Sequence, residues 1–375
     1  MLNRDLLIVG AGPAGLAAAI EAKKAGVKDV LVVDLNLRPG GQLFKQIHKF
    51  FGSSAHRAGV RGMDTGAALL KEAEDLGVEV WLRSTCVGFF DDKVACIEKG
   101  KEDGTKQIIY LQASKIIIAT GGQENVIRFK GWTTPGVMGA GAAQTMINVN
   151  KVQPGQKIVM LGTGNVGLIV SYQLMQAGCD VVCLVEAAPG IGGYGVHASK
   201  ICRAGVPIYT RHTIKEVKGN GPNGRVSEVT IVGLDDKWQE VPGTEKTFEA
   251  DTVTLAAGIK PVSELVKFQD IELVFNGPFG GWIPAHNEKM ETTAPGIYVA
   301  GDTTGSEEAN TALEEGKLAG VSAAEALGVI TKEKAEEWRA EIWERLDGLR
   351  TGPFGEKRAI AKREVIAQFP GVAEA

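Results

Sequence analysis

Apolar and polar positions follow the same order twice along the chain. The segment LLIVGAGPAGLAAAIEAKKAGVKDVLVVD, Leu6 to Asp34, reads as an apolar run, a glycine turn, a helix and a second apolar run that ends in an acid. KIVMLGTGNVGLIVSYQLMQAGCDVVCLVE, Lys157 to Glu186, reads the same way. Gly10 and Gly162, Gly12 and Gly164, Gly15 and Gly167, Gly26 and Gly178, and Asp34 and Glu186 all stand 152 positions apart. Two strand–turn–helix–strand units predict an α/β fold with two Rossmann-like dinucleotide-binding domains. Two further apolar runs, KIIIATGG (Lys115 to Gly122) and TVTLAAGIKP (Thr252 to Pro261), are expected strands that carry the chain from one domain to the other. The partition that follows has one domain at 1–125 and 251–330, a second inserted at 126–250, and a C-terminal helical tail at 331–375. In the tail, Trp338, Ile342, Trp343 and Leu346 recur at helical spacing. This stripe either docks on the chain's own first domain or, with the GPFG turn after it, forms a subunit interface.

Each glycine in the repeated motif has a separate task. The first makes a tight turn, the second lets the backbone approach a pyrophosphate, and the third lets helix and strand pack closely. The pyrophosphate then lies at a helix N-terminus, where unpaired N–H groups and the helix dipole favour negative charge. Gly10, Gly12, Pro13, Ala14 and Gly15 are the expected positions in the first copy, and Gly162, Gly164, Asn165 and Val166 in the second. Asp34 and Glu186 are placed to accept ribose hydroxyls. A carboxylate at Glu186 pairs with a free 2′-hydroxyl and repels a 2′-phosphate, and AAPGIGGYG after it carries no Arg or Lys. That favours NAD(H) over NADP(H).

Composition narrows the picture. With 41 Lys+Arg against 45 Asp+Glu, the chain lacks the basic excess that draws a protein to nucleic acid. The five cysteines form no CxxC pair and no even framework, so neither a disulfide nor a metal site is expected. No apolar stretch reaches the ~20 residues of a membrane span, and the start, MLNRDLLIVGAG, lacks a signal sequence's apolar region, so the expected location is the cytoplasm. Hydrolase chemistry has no support, since no serine sits in a nucleophile elbow.

The segments RPGGQLFKQIHKFF (Arg38 to Phe51) and TTAPGIYVAGDTTGSEEANTALEEGKLAG (Thr292 to Gly320) resemble the glutathione reductase and thioredoxin reductase superfamily, and the resemblance runs through residues 5 to 330. It implies FAD on the first domain. Gly301 and Asp302 would meet the ribityl chain, and Asn310, Thr311 and Ala312 would begin the helix aimed at the isoalloxazine. Gly40, Gly41 and Gln42 would run along the flavin, and Thr85, Cys86 and Val87 would meet the adenine through their backbone. The turns at Ala119, Thr120 and Gly121 and at Gly258 join the cofactor-binding positions. A reductase of this superfamily that acts on disulfides needs a proximal dithiol. Neither expected position here has one. Lys45 and His48, after the glycine turn, are the acid–base or charge-stabilising candidates beside the flavin, with His197 on the nucleotide side.

The segment Ala119 to Gly164, and GWTTPGV (Gly131 to Val137) above all, resembles a narrower group. These are the nucleotide-binding subunits of opine oxidases, hydrogen cyanide synthase, sarcosine oxidase (its alpha chain) and dye-linked proline dehydrogenase. The resemblance implies an electron-transferring subunit beside a second flavoprotein that oxidises an amine or amino acid, with room for an iron–sulfur, ferredoxin-like small subunit. In some members of that group the second site is occupied by another adenine nucleotide such as ATP, or is vestigial. A self-contained NADH-dependent flavin reductase or oxidase, and a scaffold subunit that merely holds nucleotides, remain the alternatives.

Overall fold

In the computed structural model, residues 1–50 and 53–370 are described. Phe51, which closes the glycine-turn segment quoted above, and residues 371–375 of the tail lie outside them. The chain forms two units, one from Met1–Gln123 with Ile259–Ala375 and the other from Glu124–Gly258.

The first unit begins with strand β1 (Leu2–Val9), helix α1 (Pro13–Lys24), β2 (Val30–Val33), α2 (Gly62–Asp75), β3 (Glu79–Trp81), β4 (Ser84–Phe90), β5 (Val94–Gly100) and β6 (Lys106–Ile118). The sheet order is β3-β2-β1-β6-β5-β4, parallel from β3 to β6 and antiparallel from β6 to β4. Strand β2 and the ends of β1 and β6, Leu6–Val9 and Ile116–Ile118, are apolar at successive positions because both faces are covered there. Leu6, Ile8, Val30 and Val32 pack on the α1 face, while Leu7, Val9, Leu31 and Val33 pack on the other.

The second unit repeats this plan with β7 (Lys157–Leu161), α3 (Asn165–Gln176), β8 (Asp180–Glu186) and β9 (Ile208–Thr210), followed by β10 (His212–Lys218), β11 (Glu228–Gly233) and β12 (Thr252–Leu255). Its parallel sheet runs β9-β8-β7-β12 and ends on Val137–Gly139. The sequence reading made β12 a crossing strand at the edge of the first domain. It lies instead in the second unit's sheet, because Thr252 to Leu255 bond in register to Ile158 to Leu161 on one side and Val137 to Gly139 on the other.

The chain then returns to the first unit. Strand β13 (Ile297–Val299) pairs in parallel with the end of β6, and helix α4 (Ala309–Ala326) lies on α1. That approach is close enough to require glycine. A Cβ on Gly316 would lie 2.1 Å from the Ala14 carbonyl oxygen, and one on Gly320 would lie 2.4 Å from that of Ala18. The tail is a pair of helices, α5 (Lys332–Leu349) and α6 (Gly352–Ala367). It is not a separate domain: Ile342 and Leu346 are buried in the α1–α4 core, with Trp338 and Trp343 packed against it. The GPFG stretch read as a turn is the first turn of α6, since Pro353 occupies an N-terminal helical position that needs no N–H.

Candidate functional site

The two glycine motifs coincide bond for bond. Gly10 and Gly162 have φ of +114° and +101°, and a Cβ on either would strike a carbonyl oxygen, Ala119 at 2.2 Å or Ala256 at 2.3 Å. A Cβ on Gly15 would lie 1.8 Å from the Gly10 oxygen, and one on Gly167 would lie 2.1 Å from the Gly162 oxygen. The middle glycines are different. Gly164 has nothing within 4 Å of its Cβ position, and Gly12 has only Gly41 Cα at 3.9 Å. First and third glycines are demanded by the fold, whereas the second leaves the helix N-terminus open. That is the space a pyrophosphate would use, so both cradles fit the group the motif implies.

The acids have a further task that the sequence did not disclose. Asp34 is buried and accepts from the backbone N of Ala11 at 2.7 Å, from Asn36 N at 2.7 Å and from Asn36 Nδ2 at 2.9 Å. Glu186 accepts from Thr163 N at 2.9 Å, Thr163 Oγ1 at 2.7 Å and Ala188 N at 2.9 Å. Each carboxylate thus uses three of about four acceptor positions on its own loop and leaves about one open. The correspondence continues outward. Arg83 and Arg211, both with φ above +50°, donate their N–H to Asn36 O and Ala188 O at 3.0 Å. The strands after them are both irregular at the same step, beside Val87 in β4 and Lys215 in β10.

In the first unit the structure brings most of the expected positions together around the start of α1. A Cβ on Gly41 would lie 2.9 Å from Gly12 Cα, and one on Gly301 would lie 2.8 Å from Ala14 Cβ and 3.4 Å from Ala312 Cβ. Thr303, absent from the sequence reading, ties these pieces to the Ala119–Gly121 turn: its hydroxyl is 2.9 Å from Gly121 N and 3.3 Å from Thr120 Oγ1. Asn310 and Thr311 are buried at the start of α4, and Gln42 is exposed. Val87 is exposed in mid-strand, but its strand adjoins the acid through Ser84 N to Asp34 O at 2.8 Å. Lys45 ends the short turn Gly41–Lys45, and His48 is half-buried with its ring 5.7 Å from Phe50.

In the second unit, Asn165 accepts from Tyr194 N at 2.9 Å, and Gly192 N donates to Thr163 Oγ1 at 3.2 Å. The GIGGY loop therefore lies along the start of α3, and a Cβ on Gly193 would come within 3.0 Å of Asn165 N. Val166 is exposed, and Gly258 holds φ +91° with its carbonyl accepting from Asn125 N at 2.9 Å. His197 is buried in its helix, and burial, with Lys200 nearby, lowers its pKa.

Asp302 is the most perturbed carboxyl. Burial, then the negative charges of Glu315 and Glu307, push it up to about 7, against a hydrogen bond from the Glu307 backbone. Glu315 goes the other way. Burial opposes its charge, but Lys362 and Arg350 hold it well below the usual carboxylate range. Neither cation was singled out from the sequence.

The sequence pattern of the family described as "Pyridine nucleotide-disulphide oxidoreductase" matches residues 4–316. The chain is 30% identical to an opine oxidase subunit from Agrobacterium tumefaciens (strain Ach5) over 346 residues, which cover 87% of this chain and 66% of that protein. It is 27% identical to the hydrogen cyanide synthase subunit HcnB of Pseudomonas aeruginosa over 381 residues, 95% and 78% of the two chains. It is 28% identical to the alpha subunit of sarcosine oxidase from Corynebacterium sp. (strain P-1), of which it spans 33% while matching over 87% of its own length. Among solved structures, thioredoxin reductase of T. acidophilum superposes with a TM-score of 0.68 at 20% identity, over 87% of this chain and 99% of that one. L-Proline dehydrogenase of P. horikoshii does so with a TM-score of 0.66 at 20% identity, over 92% and 59%.

Proposed function

The chain belongs to the pyridine nucleotide-disulphide oxidoreductase family, and on that premise we propose that it is an electron-transferring subunit of a heteromeric amine or amino-acid dehydrogenase, working between NAD(H) and FAD. The single observation that carries the reading is the pair of coincident cradles, each with an open middle glycine and an acid that keeps about one acceptor position. FAD on the first unit would supply hydride-accepting and hydride-donating chemistry. The protein's own residues bind and orient. Gly12 and the start of α1 would receive the pyrophosphate, Asp34 the adenosine ribose, and Asp302 a ribityl hydroxyl. The N-terminus of α4, at Asn310 to Ala312, would favour negative charge on the reduced ring. In the second unit Gly164 and Glu186 would hold NAD(H).

Dithiol chemistry is a poor fit. Disulfide exchange runs through a thiolate, and burial pushes the Cys86 and Cys183 thiols up to about 12. The five cysteines are all free. Membership of an amine- or amino-acid-oxidising complex rests on the likeness to subunits of opine oxidase and of sarcosine oxidase. Among the described residues, no helix is long and apolar enough to cross a membrane.

The test is an anaerobic titration of the purified flavoprotein with NADH, followed through the flavin's visible absorbance. Rapid stoichiometric bleaching is expected. A flavin that stays oxidised would refute NAD(H) as this chain's electron partner and would leave its second cradle vestigial or to another adenine nucleotide.

A further inference from the structure

The helices beyond the family match place cations on the carboxylates of α4 and of the turn before it. Arg339 meets Glu325 at 2.5 Å and Arg345 meets Glu314 at 2.9 Å. The deepest group is built on Glu315, which is almost wholly buried. One of its oxygens accepts from Gly301 N at 3.2 Å and Thr304 Oγ1 at 2.7 Å, both in the turn that carries Asp302. The other receives Arg350 at 2.7 Å from the end of α5 and Lys362 at 2.9 Å from α6.

Both cations also grip the turn or its continuation directly. Lys362 Nζ donates to Thr304 O at 3.0 Å and lies 2.9 Å from Thr304 Oγ1, so with Glu315 its three N–H groups find three acceptors. Arg350 forks onto Glu307, between the turn and α4, at 2.6 and 3.0 Å. Side-chain exposure is 1% for Lys362, 2% for Arg350, 2% for Glu315 and 5% for Glu307. Two cations balance two carboxylates out of water, an arrangement that tolerates removal of neither side.

A tail that only covered apolar surface would need no such group. Aliphatic residues of similar volume are often as stabilising as a buried ion pair. What the ions provide is direction: charge-assisted hydrogen bonds fix the backbone of residues 301–307 in one conformation.

We propose that the C-terminal helices are a latch for the flavin site, with Lys362 and Arg350 as positioning residues that hold the Gly301–Glu307 segment, and with it Asp302, in the FAD-binding conformation. The inference rests on reading Asp302 as the ribityl-binding residue. FAD binding and docking of the tail then stabilise each other.

The experiment compares wild type with Lys362→Met, Arg350→Lys and Asp302→Ala as full-length apoproteins. It measures the FAD dissociation constant by fluorescence, ADP-ribose binding at the second cradle as a control, and trypsin cleavage of the tail with and without FAD. The latch requires FAD binding weakened at least about tenfold, equivalent to about 1.4 kcal/mol, in Lys362→Met and in Arg350→Lys, with ADP-ribose binding unchanged. It also requires FAD to slow cleavage of the tail in wild type and to slow it less in both variants. Arg350→Lys keeps the charge and loses only the fork, so it carries the test if Lys362→Met does not fold. FAD binding within twofold of wild type in a folded variant overturns the latch, and so does tail cleavage indifferent to FAD. If Asp302→Ala loses FAD while the tail variants keep it, only the latch fails. If Asp302→Ala keeps FAD, the reading of the site fails and the latch with it.

Discussion

Alanine at Gly12 separates folding from cofactor binding. Gly12 caps α1 with φ −75° and ψ −176°, which any L-residue adopts, and a new Cβ would meet nothing nearer than Gly41 Cα at 3.9 Å. Two small effects oppose each other in the apoprotein. Restricting the unfolded chain stabilises by about 0.4–1 kcal/mol, while alanine is a poorer N-cap than glycine by a similar amount. Apoprotein stability should therefore stay within about 0.5 kcal/mol of wild type. The methyl group would stand where the pyrophosphate meets the helix N-terminus and would cost at least one charge-assisted hydrogen bond, about 1.5–3 kcal/mol. FAD should then bind roughly 10- to 150-fold more weakly. Gly10→Ala is the contrast: its Cβ would lie 2.2 Å from the Ala119 oxygen at φ +114°, so it should unfold the domain rather than spare it. Denaturant unfolding of the apoproteins and fluorescence titration with FAD give both numbers. Wild-type FAD affinity in Gly12→Ala would refute the approach of a pyrophosphate to Gly12. A loss of stability like that of Gly10→Ala would refute the open space seen there.

Three other perturbations test separate parts of the site. With its carboxyl raised from 3.8 to about 7, Asp302 stabilises the folded apoprotein in full below about pH 4 and progressively loses that contribution as pH rises to about 7; Asp302→Asn should flatten this stretch of the melting-temperature profile, and an unchanged profile would mean the carboxyl titrates normally. Glu186→Arg should move the second cradle's preference from NADH toward NADPH while loosening the loop, because Thr163 and Ala188 lose their acceptor; equilibrium binding of the two nucleotides decides, and an unshifted ratio counts against Glu186 as the selector. Gly316→Ala would drive a methyl group against the Ala14 oxygen, costing about 1–3 kcal/mol; a melting temperature equal to wild type would show that α4 moves away from α1 freely.

Much of the site was legible because its constraints are local. A turn that needs positive φ, or a backbone approach that forbids Cβ, leaves a glycine at a set spacing, and Gly10 and Gly15 announce themselves wherever they sit. The same holds for Asp34 and Glu186, one strand further on. Constraints that join distant segments leave no such mark. Thr252 to Leu255 is apolar at either end of a domain boundary, and only its pairing with β7 assigns it to the second unit. Thr163 adds to its counterpart Ala11 a methyl group and a hydroxyl, and the hydroxyl's value lies in its distance from Glu186 and Gly192. Arg350 and Lys362 read as ordinary charges on an amphipathic tail, because their partner Glu315 is 35 and 47 positions away along the chain.

The first unit is also discontinuous in time. During synthesis the glycine loop at Gly10–Gly15 leaves the ribosome first, while β13, the Gly301–Glu307 turn and Lys362 emerge only after the whole second unit has passed. The second unit, residues 124–258, is contiguous and has its sheet complete as soon as β12 appears. It can therefore fold while its neighbour is still half made, as units generally do during translation. The helix α1 must meanwhile wait for α4 to cover its outer face. On the proposed reading, a nascent chain halted before residue 301 would have the first cradle's glycines but lack the turn that carries Asp302, so loading with FAD would follow the emergence of that turn.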